Sequence, residues 1–262
     1  MTTFVDIHCH LLPGIDDGAQ TWDDSLAMAR MALDDGIATT VCTPHQLGNF
    51  GENRGEEIRR LVLELQARLD EARLPLRVLP GADVRIESEM MQRIKAGDVL
   101  TLGDRGRHVL LELPHELYLP LEPVLAELAS AKLVGVLSHP ERNEGILRNP
   151  GVLGPLVDAG CLMQITAGSL CGTMGPKCRE MSESLLAEGL VHFVATDAHS
   201  PRSRRPLLRR AFERVAELTD AETALALCFT NPQCVADGRT VSGGRRRAVR
   251  PKRRWFASRA VA

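Results

Sequence analysis

Seven short runs of apolar and β-branched residues recur along the chain, and stretches with helical periodicity separate most of them. The runs are TFVDIHC, IATTVCT, LRVLPGADV, HVLLELP, LVGVLSH, CLMQITA and VHFVATD. Their length and side chains suit strands of a pleated sheet. Between the first two, TWDDSLAMARMALDDG predicts a helix. Thr21 is its N-cap, acids fill the first turn, Leu26, Ala29 and Leu33 share one face, and Gly36 stops it. GEEIRRLVLELQARLDEAR predicts a second helix with Ile58, Leu61, Leu65 and Leu69 as its apolar stripe. Further helices are expected near 120–131, 148–159, 178–188 and 206–217. Alternation of this kind gives a parallel sheet with helices outside, as a barrel or as an open doubly wound sheet. A chain of 262 residues fits one α/β barrel.

Several function classes lose support early. No strand is followed by GxGxxG, and no GxxxxGK[ST] is present, which weakens nucleotide-binding readings. The net charge of −2 gives no global attraction to nucleic acid. No apolar run reaches the ~18–20 residues of a membrane span, and the N-terminal residues do not read as a secretion signal. The expected location is the cytoplasm. Seven cysteines without a CxxC pair read as buried thiols, not as a zinc ribbon or a disulfide framework.

Polar residues gather at the strand ends. Side chains at i and i+2 of a strand share a face, so HCH aims His8 and His10 together, and DAH does the same with Asp197 and His199. Other strand ends deliver His45, Asp83, Glu112 and His139, and the PGIDDG loop adds Asp16 and Asp17. In parallel α/β architectures these C-terminal ends share one mouth, where chemistry sits. Five histidines and four or five carboxylates exceed the ligand set of one transition metal, which implies two or three ions. Imidazole mixed with carboxylate, and no thiolate, suits Mn²⁺, Fe²⁺ or Zn²⁺. Without cations, such crowded carboxylates would take up protons.

Several ions together suggest hydrolysis. Arg142 lies three residues past His139 and Arg204 five past His199. A guanidinium matches phosphate oxygens bidentately, which points to a phosphate ester. Cysteine-based phosphatase chemistry needs Arg six positions after the nucleophile, and no cysteine here has it. An aspartate nucleophile would need DxD, which is absent.

The stretches DIHCHLLPGIDDG, TPH, LPGAD, LLELP, SHPERN, QITAGSL and HFVATDAHS, in that order over roughly residues 4–205, resemble the PHP superfamily. Within it the chain is most similar to the PHP-type protein-tyrosine phosphatases of bacterial capsule and exopolysaccharide operons. The resemblance implies a distorted (β/α)7 TIM-like barrel with a trinuclear site, commonly of manganese, with iron or zinc as alternatives. It implies one ion at His8, His10, Asp83 and Asp197, a second at Asp83, Glu112 and His139, and a third at Asp17, His45 and His199. Arg142 and Arg204 match the phosphate-contacting arginines, and a metal-bridging hydroxide would attack phosphorus. The family usually has glutamate where this chain has the shorter Asp83. The implied substrate is phosphotyrosine on a protein, an autophosphorylated tyrosine kinase of polysaccharide export. Competing readings are a small-molecule phosphomonoesterase such as histidinol phosphatase, another phosphoesterase of the superfamily, and a non-catalytic metal-stabilised scaffold.

After Asp237 the composition changes. SGGRRRAVRPKRRWFASRAVA has eight Lys and Arg and no acid. Residues 1–239 read as one barrel domain and 240–262 as a disordered basic tail, able to contact an acidic partner or a membrane surface.

Overall fold

The computed structural model describes residues 3–245. Nine strands are present among them: β1 (Phe4–Cys9), β2 (Ile37–Cys42), β3 (His45–Gln46), β4 (Arg77–Pro80), β5 (Asp83–Arg85), β6 (His108–Glu112), β7 (Val134–Ser138), β8 (Leu162–Thr166) and β9 (Phe193–Ala195). Every ladder is parallel. The strands form one sheet ordered β1-β2-β4 and another ordered β3-β5-β6-β7-β8-β9. The seven expected runs all hold strands, but one of them is broken in two and a short strand that was not expected follows another. Thr43–Pro44 separates β2 from β3, and Gly81–Ala82 separates β4 from β5. Pro44 has no N–H for a ladder, and its carbonyl accepts from Asp83 N at 3.1 Å. Gly81 sits where a Cβ would lie 2.7 Å from Val41 Cγ1, so only glycine fits at the second break.

These two breaks pass the chain from one sheet to the other, and β1 meets the segment after β9. A single parallel bridge joins them, Cys9 to Ala198. Asp197 N donates to His8 O and His10 N to Ala198 O, each at 2.8 Å. One bridge where a full ladder would be expected is the distortion of this TIM-like arrangement.

Helix α1 (Trp22–Asp35) begins and ends as expected: Thr21 Oγ1 accepts from Asp24 N at 3.1 Å, and Gly36 is left-handed at φ 99°. Its buried line differs from the expected one. Ser25, Met28, Ala29 and Ala32 are buried, whereas Leu26 and Leu33 are half-buried against the core. Ser25 can face inward because its hydroxyl donates to Leu11 O at 2.7 Å. Helix α2 (Gly55–Glu71) buries the expected Ile58, Leu61, Leu65 and Leu69. The stretch expected as one helix near 148–159 is divided by Pro150 and Gly151 into a short turn and the helix Leu153–Asp158.

The inner face of the strands explains where the polar residues emerge. Val41, Leu79, Leu110, Val136, Leu162, Phe193 and Ala195 pack together with Val235 and Ala236 from the last helix. Two residues further along the same faces come Glu112, Ser138, Gln164 and Asp197. Apolar side chains plug the lower part of the strands, and polar ones line the upper ends. Packing continues past residue 239: Val241 is buried in the same cluster, and Arg245 pairs with Asp158 at 2.8 Å. The rest of the basic segment, 246–262, lies outside the described residues. No helix among the described residues is long and apolar enough to cross a membrane.

Candidate metal centre

The strand ends bring all nine expected ligands into one cluster. Donor atoms group as His8, His10 and Asp197; His8, Asp83 and His139; His45, Asp83 and Glu112; and His10, Asp17, His45 and His199. Neighbouring groups share His8, His10, His45 or Asp83, so the site is continuous. Its floor is sealed, with His8, His10, Asp83 and Asp197 at most 1% exposed. The rim is open at Asp17, whose side chain is 56% exposed, at Glu112 (20%) and at His45 (16%).

The grouping departs from the implied one in three places. His139 Nε2 approaches Asp83 at 4.0 Å and groups with His8, not with Glu112. Glu112 instead faces His45, at 3.7 Å from Nδ1. His10 groups with Asp17, His45 and His199 as well as with His8. Asp83 stands between two groups in either description. Its shorter side chain suffices because β5 restarts at this residue, paired with His45 in one register and Leu110 in the other.

Asp83 is also the residue whose surroundings best fit a cation. Both carboxylate oxygens are buried without a hydrogen-bond partner. Burial and the neighbouring Glu112 push its carboxyl well above the usual range. A buried carboxyl with no partner costs stability, so this position fits a metal ligand better than a structural residue.

Asp197 is arranged in the opposite sense. Its Oδ1 lies 3.2 Å from His8 Nε2, 3.4 Å from His10 Nε2 and 3.6 Å from His199 Nδ1. Its Oδ2 accepts from Arg142 NH1 and, at 2.5 Å, from Arg204 NH2. Burial works against its charge, but His8, His10 and Arg204 outweigh that and hold it well below the carboxylate range. Both arginines sequence reading assigned to phosphate therefore grip a candidate ligand in this structure. Arg204 Nε is buried and has no acceptor. Ser200 Oγ accepts from Arg202 N and Ser203 N at 3.0 Å, which turns the loop so that Arg204 comes back toward Asp197.

The imidazoles differ by their neighbours. Burial lowers His8 to about 3 and takes His139 well down, which favours the neutral ring that a metal needs. Burial opposes charge on His10 too, but Asp16 and Asp197 raise it to about 9. His199 and His45 hydrogen-bond to Asp17 and hold its carboxyl low.

Three site residues have left-handed backbones: His139 at φ 31°, Asp197 at φ 50° and Arg204 at φ 50°. For residues with a Cβ such conformations cost on the order of 1–3 kcal/mol each, and they persist only where the surroundings enforce them.

A family described as "Capsular polysaccharide synthesis, CpsB/CapC" matches residues 4–237, from β1 to the end of the last helix. The chain belongs to the CpsB/CapC family. Tyrosine-protein phosphatase YwqE of Bacillus subtilis is 39% identical over 202 residues, 76% of this chain and 79% of that protein. Tyrosine-protein phosphatase CpsB of Streptococcus pneumoniae is 27% identical over 87% of this chain and 96% of that one. A chain from the crystal structures of YwqE and CpsB, described as unique metal-dependent tyrosine phosphatases, matches with a TM-score of 0.88. It is 34% identical and covers 95% of this chain and 100% of that one.

Two residues that act on the cluster lie outside the nine ligands that the resemblance implied, though Asp16 stood in the strand-end group read from the sequence. Asp16 Oδ2 accepts from His10 Nδ1 at 2.7 Å and from His45 N at 3.1 Å. Gln164 Oε1 lies 2.8 Å from His8 Nδ1. Each fixes an imidazole so that its Nε2 faces the cluster. The signals were present: Asp16 adjoins Asp17, and Gln164 interrupts the apolar strand LMQIT within a stretch of family resemblance. Gly18 lets the same loop press onto the site, since a Cβ there would lie 2.4 Å from His10 O.

Proposed function

We propose that this protein is a metal-dependent protein-tyrosine phosphatase. In this reading it hydrolyses phosphotyrosine on an autophosphorylated tyrosine kinase of capsule or exopolysaccharide synthesis. His8, His10, Asp17, His45, Asp83, Glu112, His139, Asp197 and His199 hold two or three divalent ions, manganese in the first instance. The observation that carries the reading is Asp83: two buried carboxylate oxygens with no hydrogen-bond partner, in the middle of eight other donors.

Ions held there supply Lewis acidity, acidifying water and offsetting the charge of a phosphoryl group. The chain's own residues supply the rest. Gln164 and Asp16 keep His8 and His10 in the orientation that offers Nε2 to the cluster. Asp197 divides its oxygens between imidazoles and arginines, so it ties the ligand cluster to the guanidiniums. Arg142 and Arg204 keep further N–H donors beyond those given to Asp197, and the unpaired Arg204 Nε is one of them. Those donors suit the non-bridging oxygens of a phosphate monoester. The sealed floor excludes bulk water, which strengthens each of these interactions. Seven unpaired cysteines suit the reducing cytoplasm.

The test is hydrolysis of a phosphotyrosine peptide against histidinol phosphate, with Mn²⁺ restored after chelator treatment. Preference for the peptide supports the proposal. Preference for histidinol phosphate would make the protein a small-molecule phosphatase, and tight metal binding with no turnover would make it a scaffold.

A further inference from the structure

Aromatic residues make up 3% of the chain. Among the described residues, every Phe, Tyr and Trp except Phe50 packs in or against one of the two core clusters. Phe50 stacks instead on His45, with ring centroids 5.2 Å apart and planes at 19°. His45 belongs to two of the donor groups. A ring kept at a metal centre and out of the core calls for a reason other than folding.

The loop is shaped to hold that ring. Phe50 N donates to Leu47 O at 2.9 Å across a tight turn. Leu47 and Gly48 are both left-handed, at φ 69° and 56°, and Leu47 is buried, which anchors the turn despite its strain. Asn53 Nδ2 donates to His45 O at 2.8 Å and Ile15 O at 3.0 Å, tying this loop to the Asp16–Asp17 loop.

Phe50, His45, Leu47, Arg85 and Glu112 line a cavity of about 360 Å³. His45 and Glu112 are donors at the open rim, so the cavity begins at the candidate metals. The larger hollow of about 940 Å³ on the other side reaches the site only through Arg142 and has no Phe, Tyr or Trp in its wall.

We infer that the cavity beside Phe50 receives the aromatic ring of the substrate's ester group, and that Phe50 makes the site prefer aryl over alkyl phosphate monoesters. This rests on the phosphatase reading above. A phosphoryl group held between the donor cluster and the two arginines has His45 and Glu112 on its rim side, and an ester substituent directed there has the Phe50 cavity next to it. A phenyl ring gains from burial and from an offset contact with Phe50. The short methylene of phosphoserine gains little of either.

The experiment compares wild type, Phe50→Ala and Phe50→Tyr on a phosphotyrosine peptide and a phosphoserine peptide of the same sequence, with metal content measured for each. A second arm measures binding of phenylphosphonate and methylphosphonate to the metal-loaded protein by calorimetry. Phe50→Ala should lower kcat/KM for phosphotyrosine about tenfold, weaken phenylphosphonate by a similar factor, and change the other two ligands less than about threefold. Phe50→Tyr should restore most of the loss. Equal losses on both ligand classes would make Phe50 a support for His45, and unchanged binding of phenylphosphonate would remove it from the substrate site. Either result overturns the inference while phosphotyrosine hydrolysis by wild type stands. Absence of hydrolysis by wild type would strike the phosphatase reading itself, and the phosphonate arm would still decide the role of Phe50.

Discussion

Replacing Asp83 with asparagine separates metal binding from folding. The substitution preserves shape and removes the charge that would hold cations. In the metal-free protein the Asp83 carboxyl is already driven toward its neutral form by burial and Glu112, and neither oxygen has a hydrogen-bond partner. Asp83→Asn therefore takes away no native hydrogen bond, and metal-free stability near neutral pH should change by less than about 1.5 kcal/mol. The metal-loaded state should respond very differently. Ions at about 100 times their dissociation constant stabilise the native state by about 2.7 kcal/mol. For a chain of this size that raises the melting temperature by roughly 5–10 °C. Asp83 stands in two donor groups, so its loss should remove most of that increment. The assay is differential scanning calorimetry of wild type and Asp83→Asn, each with chelator and with Mn²⁺, alongside elemental analysis. A variant that keeps the full Mn²⁺ shift and wild-type metal content would refute the assignment of Asp83 as a shared ligand.

Other perturbations test the remaining groups. Arg142→Ala and Arg204→Ala should each cost roughly 2–4 kcal/mol in kcat/KM on a phosphotyrosine peptide. Both act on Asp197 Oδ2, so the double variant should fall short of the sum, and strict additivity would show independent roles. Arg202→Ala and Arg205→Ala should cost less than about tenfold, as general charge alone predicts. Chelator should abolish activity while iodoacetamide spares it, because burial raises the thiols of Cys9, Cys42, Cys161 and Cys228, Cys161 to about 12; a Cys→Ser variant without turnover would contradict this. Burial lowers His108 from 6.5 to about 4, and its Nδ1 has no partner. The unfolded chain then binds more protons than the native one across that interval, so stability falls as pH drops from 6.5 toward 4. His108→Gln should flatten that decline by on the order of 3 kcal/mol, read from urea midpoints at each pH; an unchanged slope would show that His108 is not the group responsible.

The sequence displayed the candidate ligands because strand alternation carries them to one end. HCH and DAH share a face by period alone, and Leu110 to Glu112 or Ala195 to Asp197 follows the same rule. What it hid depends on contacts between segments remote in the chain. Gln164 meets His8 across 156 positions, and although it interrupts an apolar strand, nothing local names His8 as its partner. The arginines gripping Asp197 were invisible for the same reason, since their partner is set by two loop turns. The buried line of α1 was misread because Ser25 is polar, and only the carbonyl of Leu11 makes its burial favourable. The breaks at Pro44 and Gly81 were marked by residue type, but their effect, the transfer of two strands between sheets, requires knowing which strands are neighbours.

The bridge that joins β1 to the end of β9 also sets an order of assembly. It connects Cys9 to Ala198, and the same junction supplies His8, His10, Asp197 and His199. Residues separated by 189 positions must meet before the floor of the site exists. Contacts of such long range form late, after the local βα units have closed their shorter loops. On the ribosome, His8 and His10 leave the exit tunnel long before Asp197 and His199 are synthesised. The growing chain thus carries an incomplete set of candidate ligands through most of its synthesis, and the full set comes together only when the last strand docks. Metal capture becomes a report on finished folding, and an unfinished chain has no centre with which to hydrolyse anything.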